Sequence, residues 1–201
     1  MISIYFEWGC IHWSLKKVHE VRFHGRAGQG ILTASRLFAQ AAILDGKYAQ
    51  AFPDFGPERL GSPVAAFARI DDQPIEIRSQ IYTPTAVAVF EKSLLATVPV
   101  TRGLVPQGRF VVNSTESEGP LVKKMGDQSD ASAFVVDASR IARELIGTPT
   151  VSTIMLGALA NASACLSIEA LESAVKQRFH GESGEVNAKM VRMGFKEVKQ
   201  I

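Results

Sequence analysis

The sequence predicts an α/β fold: a single three-layer, doubly wound domain with a mostly parallel sheet. Short apolar runs bounded by turn residues alternate with longer segments whose apolar residues recur at helical spacing, and a glycine-rich turn joins the first strand to the first helix. At 201 residues, with 46% hydrophobic and 21% charged residues, the chain is long enough for one core. We therefore assign residues 18–201 to one domain and leave residues 1–17 as an unassigned N-terminal extension.

The first predicted unit is a strand at residues 20–24, the glycine turn at residues 25–30 and a helix at residues 31–44, which Asp45 and Gly46 end. An irregular surface loop is predicted at residues 51–63, because three prolines and two glycines interrupt helix and sheet there. Further strands are expected at residues 64–70, 75–78, 86–90, 109–112 and 133–136, the first two joined as a hairpin by residues 71–74. Further helices are expected at residues 118–125, 138–146, 152–164, 167–179 and 182–193.

The helix predicted at residues 152–164 is apolar on almost every side, with Ile154, Met155, Leu156 and Leu159 among several alanines. Such a helix must be buried. Two interpretations stay open from the sequence: a core helix under the sheet, or a helix at a subunit interface.

Composition excludes several classes of function. The formal net charge is only +2, from 22 basic and 20 acidic residues, so no overall field marks a nucleic-acid-binding protein, and any anion site must be local. Cys10 and Cys165 are far apart and belong to no cysteine cluster, so we expect no metal centre in this chain. Both a disulfide between them and two idle thiols in a reducing cytoplasm are compatible with the sequence.

The first 15 residues are rich in apolar and aromatic side chains. They include Glu7 and His12 and are fewer than the ~20 residues that span a bilayer, so we expect neither a membrane anchor nor a signal peptide, and a cytoplasmic location. A docking arm for a partner subunit, a strand that completes a sheet and a misassigned start codon all stay open for this stretch.

The glycine turn FHGRAGQGIL is the first candidate site. Gly25, Gly28 and Gly30 let main-chain amides approach a phosphate, and the helix that follows offers its positive end. Arg26 and Gln29 are placed to meet a phosphate or an amide of a ligand. A tight turn that binds nothing is the alternative, since the spacing is not that of the dinucleotide motif. NAD binding is not supported, because Asp45 follows a helix and not a second strand.

The second candidate site is the proline-rich segment FGPERLGSP at residues 55–63. Its rigidity would present Glu58 and Arg59 side by side, which lowers the entropy lost when a partner docks. A surface loop with an internal ion pair is the alternative.

The two motifs together carry a resemblance. HGRAGQG after the first strand, PDFGPERLGSPV about thirty residues later, and then GLVPQGRFVVN and TPTVSTIMLGALA resemble, in this order, the gamma component of 2-oxoacid:ferredoxin oxidoreductases over residues 18–195. The resemblance implies a subunit of a complex that oxidatively decarboxylates a 2-oxoacid, forms an acyl-coenzyme A and reduces ferredoxin. The PERxGxPV pattern is more similar to pyruvate-type than to ketoglutarate-type members.

The resemblance also implies cofactors and partners. Thiamine diphosphate and iron–sulfur clusters would belong to alpha, beta and delta-type partner subunits, and this chain would carry no cluster, contact coenzyme A, and bind neither nucleic acid nor membrane. The positions that match the family motifs are Gly25, Arg26, Gly28, Gln29, Gly30, Gly56, Pro57, Glu58, Arg59 and Gly61. Ala27 stands where the family usually has glycine, and Leu60 where it usually has arginine.

No catalytic group is identifiable, because the four histidines are scattered and none has a nucleophile or an orienting acid near it in sequence. His24, next to the glycine turn, is interpreted as a structural histidine with satisfied hydrogen bonds, and a catalytic or ligand contact is the alternative. Three alternatives stay open: a stand-alone nucleotide-binding module, a purely structural gamma subunit, and the same family acting on 2-oxoisovalerate, 2-oxoglutarate or indolepyruvate.

Overall fold

A computed structural model describes residues 18–54, 59–115 and 130–201. Its strands are β1 (His19–Arg26), β2 (Tyr48–Pro53), β3 (Pro63–Asp71), β4 (Ala86–Val89), β5 (Arg109–Asn113), β6 (Ser132–Val136) and β7 (Lys199–Gln200). Its helices are α1 (Ile31–Leu44), α2 (Ala138–Ile146), α3 (Ser152–Ser163), α4 (Ile168–Arg178) and α5 (Glu182–Glu197), with a short 3-10 helix, η1 (Lys92–Ala96). The helices after residue 130 lie where the sequence predicts them, within a few residues at their ends.

The described strands form one seven-stranded sheet in the order β2-β3-β1-β4-β5-β6-β7. Its centre is parallel, because β1, β4, β5 and β6 run in one direction. The edges are antiparallel, with β3 and β2 on one side and β7 on the other. This arrangement confirms the predicted α/β domain with a mostly parallel core.

One face of the sheet is covered by helices. Val21 and Phe23 of β1 point to this face, where the Phe23 ring meets that of Phe38 on α1 edge-on at 5.9 Å. Helix α3 lies inside the layer, with almost all of its residues buried. The core-helix interpretation of this segment is therefore confirmed.

Helices α3 and α5 cross closely at a pair of glycines. A Cβ atom added to Gly157 would lie 1.9 Å from the Val191 carbonyl oxygen, and one added to Gly194 would lie 1.9 Å from the Ile154 carbonyl oxygen. Because no side chain separates the two backbones, the helices approach each other more closely than larger residues allow.

The opposite face of the sheet is covered in two parts. Over β4, β5 and β6, η1 and the loop after it bury a second apolar core, which contains Leu94, Val100 and Leu104. Over β2, β3 and β1 lies an irregular segment of residues 72–85, which we call the strap. Arg69 of β3 holds the strap, because its guanidinium donates to the carbonyl oxygens of Ile77 (3.3 Å), Ser79 (2.6 Å) and Gln80 (3.2 Å).

Two sequence predictions are wrong. Residues 75–78 form no strand, because β3 already pairs with β1 on one side and β2 on the other and so has no free edge for a hairpin partner. The loop predicted at residues 51–63 begins with the end of β2, which extends to Pro53; proline is tolerated there because β2 is an edge strand. The helix predicted at residues 118–125 and the extension at residues 1–17 lie outside the described residues.

Among the helices that the structure describes, none is long and apolar enough to cross a bilayer.

Candidate functional site

The candidate site lies at one edge of the sheet, where the parallel strands β1, β4, β5 and β6 all end. Ligands of open α/β sheets bind outside the carboxyl ends of such strands. The glycine turn follows β1 at this edge, and Glu91 and Ser93 follow the neighbouring strand β4. The sheet thus brings together residues about 65 positions apart in sequence.

The glycine turn has the backbone geometry that the sequence predicts. Gly28 and Gly30 adopt φ angles of 97° and 75°, a region that side-chain-bearing residues rarely enter. Gly30 is the N-cap of α1, and no side chain in the described part of the chain caps the helix there, so the amides of its first turn point outward with the positive end of the helix dipole. Ala27 is not among the residues with positive φ, so alanine fits this position without backbone strain.

Arg26 is held across the turn. Its guanidinium donates to the Gly61 carbonyl oxygen at 2.9 Å and to the Ser93 hydroxyl at 2.9 Å. Both acceptors are uncharged, and no carboxylate of the described residues forms an ion pair with this guanidinium. A guanidinium fixed in this way is suited to an anion at the start of α1.

The Gln29 side chain forms hydrogen bonds within the glycine turn and to Glu91. Its side-chain oxygen accepts from the Arg26 amide at 2.8 Å, and its amide nitrogen donates to the Glu91 carboxylate at 3.2 Å. Glu91 also accepts from the Ser93 backbone amide at 3.3 Å and so caps η1. Gln29 is therefore committed to internal contacts, and we now interpret it as a residue that positions the turn.

The structure joins the described part of the second motif to the first. The Ala27 amide donates to the Ser62 carbonyl oxygen at 2.9 Å, and the Gly61 amide donates to the Ala27 carbonyl oxygen at 3.2 Å. Arg59 has an exposed side chain, and Leu60 is 93% exposed beside Gly28. Gly56, Pro57 and Glu58 lie outside the described residues, so a site role for Glu58 stays a prediction.

His24 is buried on the sheet face opposite the helices, and it is only 8% exposed. Burial and the nearby Arg22 guanidinium lower the pKa of His24 to about 3, so the imidazole is neutral under physiological conditions. Its Nε2 atom has no hydrogen-bond partner among the residues that the structure describes. The predicted structural histidine is thus buried, but the expectation that its polar atoms are satisfied is not met by Nε2 within the described residues.

The hydrogen bonds of Asp45 and the burial of Cys165 indicate structural roles for both residues. The Asp45 carboxylate accepts from the Ser167 amide at 2.5 Å and from the Ser167 hydroxyl at 2.6 Å, so it ties the end of α1 to the start of α4. Cys165 is a free, buried thiol, and burial raises its pKa. Among the described residues, no three His, Cys, Asp or Glu side chains are grouped to hold a metal ion.

Sequence reasoning missed Glu91 and Ser93. The signal that could have found them is their position directly after an apolar run that predicts a parallel strand, since such strands all end at the same edge as the glycine turn. The sequence does not give the order of the strands, and this order places β4 directly beside β1.

Comparison with curated proteins finds close relatives. The chain is 48% identical over 178 residues to the pyruvate/ketoisovalerate oxidoreductases common subunit gamma of Thermococcus litoralis, an alignment that covers 89% of this chain and 96% of the relative. It is 44% identical over 184 residues to the pyruvate synthase subunit PorC of Methanothermobacter thermautotrophicus, covering 90% of this chain and 97% of the relative.

A solved structure and a family model agree with these relatives. The crystal structure of the pyruvate oxidoreductase subunit PORC of Thermotoga maritima is similar with a TM-score of 0.81 and 36% identity, covering 92% of this chain and 99% of that one. The model of the pyruvate ferredoxin/flavodoxin oxidoreductase family matches residues 20–197, which include both motifs and every described element up to the end of α5 except the first residue of β1. The chain belongs to the pyruvate ferredoxin/flavodoxin oxidoreductase family.

Proposed function

We propose that this chain is the gamma subunit of a multi-subunit pyruvate:ferredoxin oxidoreductase. In this role it supports the coenzyme-A-dependent oxidative decarboxylation of pyruvate to acetyl-coenzyme A, with electrons passed to ferredoxin. The observation that carries the proposal is 48% identity over nearly the full length of a gamma subunit, with the two sequence motifs packed against each other. A stand-alone nucleotide-binding module has no comparable support.

The chain acts here as an accessory subunit. The His24 imidazole beside the glycine turn is buried and its pKa is lowered to about 3, so it is a poor general base near neutral pH. Thiamine diphosphate and the iron–sulfur clusters are held by alpha, beta and delta-type partners. This division leaves the gamma chain to bind coenzyme A and to complete the assembly.

Coenzyme A is proposed to place a phosphate group at the glycine turn. Three features support this: the uncapped start of α1, the positive φ of Gly28 and Gly30, and the Arg26 guanidinium held by uncharged partners. The Glu91 carboxylate accepts a hydrogen bond from the Gln29 amide nitrogen, which limits its repulsion of an anion.

The loop after the turn is proposed to face a partner subunit. Leu60 is a large apolar side chain that is almost fully exposed, and Arg59 beside it is also exposed. An apolar anchor with an adjacent arginine is a common composition at the centre of a protein interface.

The choice of 2-oxoacid is proposed to lie outside this chain. The relative from Thermococcus litoralis is named as a subunit common to pyruvate and ketoisovalerate oxidoreductases. A subunit shared between two substrates cannot itself select one of them. We therefore propose pyruvate as the main substrate and 2-oxoisovalerate as a second substrate of an alternative complex.

The test is purification of the tagged chain from anaerobically lysed native cells, followed by identification of the bound chains and assay of coenzyme-A-dependent pyruvate oxidation with a viologen acceptor. We expect thiamine- and cluster-bearing partners and pyruvate oxidation. Arg26→Ala should keep the partners and raise KM for coenzyme A roughly tenfold. Leu60→Asp should lose the partners, whereas Lys189→Asp on the exposed side of α5 should keep them.

Two results would contradict the proposal. A monomer without partners or activity would remove the subunit assignment. If the Arg26→Ala complex had an unchanged KM for coenzyme A, the coenzyme would not bind at the glycine turn, and the subunit assignment would still hold.

A further inference from the structure

A small cavity of about 220 Å³ lies between α1 and the end of α4, and none of its lining residues belongs to the glycine turn. Four of its lining residues, Thr33, Arg36, Leu37 and Gln40, come from α1, and Arg178 comes from the end of α4. Leu37 is buried, while both arginines are exposed at the surface. The cavity therefore combines an apolar residue with two cationic ones.

The charge at this cavity is not neutralised. Neither Arg36 nor Arg178 forms an ion pair with a described residue, and none of the described residues that line the cavity is acidic. Two unpaired guanidinium groups at one concave site favour an anion.

Neighbouring groups restrict the side chains that line the cavity. The Arg178 guanidinium lies 5.3 Å from the centroid of the Phe179 ring, a cation–π contact that limits its motion. The Gln40 amide donates to the Gln177 side chain at 2.8 Å, which connects the two helices beside the cavity. Thr33 belongs to the first turn of α1, where the helix dipole is positive. Arg178 and Gln40 are thus partly ordered before an anion binds, which lowers the entropy lost on binding.

We propose that this cavity binds a phosphoryl group, with Arg36 and Arg178 as its ligands. Both guanidiniums match a phosphate with paired N–H donors, and the hydroxyl of Thr33 and the amide of Gln40 add neutral polar groups. The volume is below the ~300–1,000 Å³ of sites that enclose a whole drug-sized ligand, so the site holds a phosphate or pyrophosphate and leaves any attached nucleoside outside. The proposal does not depend on the gamma-subunit assignment.

The experiment titrates pyrophosphate, and separately ADP, into the purified full-length chain at low ionic strength by calorimetry. Phenylglyoxal labelling of arginines, read by peptide mass spectrometry, then locates the bound anion. We expect saturable binding, protection of Arg36 and Arg178, and affinity lowered roughly tenfold or more by Arg36→Ala or Arg178→Ala. Arg143→Ala, an exposed helical arginine away from the cavity, should change the affinity less than twofold.

Comparing the affinities for pyrophosphate and ADP distinguishes a site for the free anion from a site for a nucleotide. Equal affinity for pyrophosphate and ADP would indicate a site for the free anion, and tighter ADP binding a site for a nucleotide; both support the proposal. Absence of saturable binding, equal losses in Arg36→Ala and Arg143→Ala, or loss of binding in Arg26→Ala alone would overturn it. A hexaglutamate peptide that binds where pyrophosphate does not would also overturn it, because the site would then recognise an acidic protein segment.

Discussion

The two faces of the central sheet are both buried, but different interactions bury them. On the helical face, Val21 and Phe23 of β1 meet apolar side chains of the helices. On the opposite face of the same strand, Arg22 is half-buried and His24 is buried, and Arg69 of the neighbouring strand is fully buried. The first face is stabilised by the area it removes from water, which any well-packed apolar set supplies. The second depends on particular partners, since a buried polar group without one costs free energy.

Arg69→Met should have the largest effect on stability. Arg69 is 1% exposed, pairs with Glu20 at 2.7 Å, lies over the Phe52 ring and donates to three strap carbonyls. Methionine fills much of the volume but leaves the carboxylate and the carbonyls without their donor, which should lower the free energy of unfolding by about 3 kcal/mol or more. Urea unfolding followed by circular dichroism measures the change.

The matched control is Arg143→Met, which removes an exposed helical arginine and should leave the unfolding midpoint unchanged. Equal effects of the two substitutions would show that the strap needs no buried cation. The two faces would then differ in composition but not in the way they are stabilised.

Gly157→Ala tests the helical face and should have the next largest effect. The added Cβ would lie 1.9 Å from the Val191 carbonyl oxygen, so α3 and α5 must separate. Overpacking of this kind costs about 1–3 kcal/mol, and the better helix propensity of alanine offsets up to about 1 kcal/mol of it. We expect a net loss of about 2 kcal/mol by urea unfolding. A stabilised Gly157→Ala protein would show that the crossing has room for a methyl group; Lys189→Ala on α5 controls for helix propensity at an exposed position.

The same comparison explains how much of the fold the sequence predicts. On the helical face, periodicity identifies α3 as buried, and the stop signal Asp45-Gly46 places the end of α1 at Leu44. These features are local, because apolar spacing and turn residues act within a few positions. The burial of an apolar side chain needs no particular partner, so its pattern is readable without the tertiary structure.

On the other face the decisive contacts are distant in sequence. In the sequence, Arg69 is one polar residue within a predicted strand. Its partner Glu20 is 49 positions away, and its other acceptors are carbonyl oxygens of the strap, where the sequence predicts the second strand of a hairpin. Gln29 and Glu91 are 62 positions apart and meet only because β4 pairs with β1. The motif residues of the candidate site are thus predictable from their spacing, whereas the residues that position them depend on the strand order.

His24→Leu should have the smallest effect at neutral pH and separates the two faces by their response to acid. The pKa of His24 is about 3 in the folded chain and about 6.5 in the unfolded one, so the unfolded state binds the proton more readily between these values. The stability that the neutral imidazole contributes is therefore fully present above about pH 6.5 and is lost as the pH falls toward about 3. From about pH 7.5 to about pH 5 the loss should be about 2 kcal/mol.

Leucine cannot be protonated, so the free energy of unfolding of His24→Leu should vary less with pH over this range. At neutral pH this free energy should differ little from that of the unmodified chain, because an unsatisfied Nε2 atom is removed with the imidazole. Urea unfolding at several pH values measures both effects, and His180→Gln, at an exposed position, serves as the control. An unchanged pH dependence in His24→Leu would mean that this imidazole can be protonated in the folded chain.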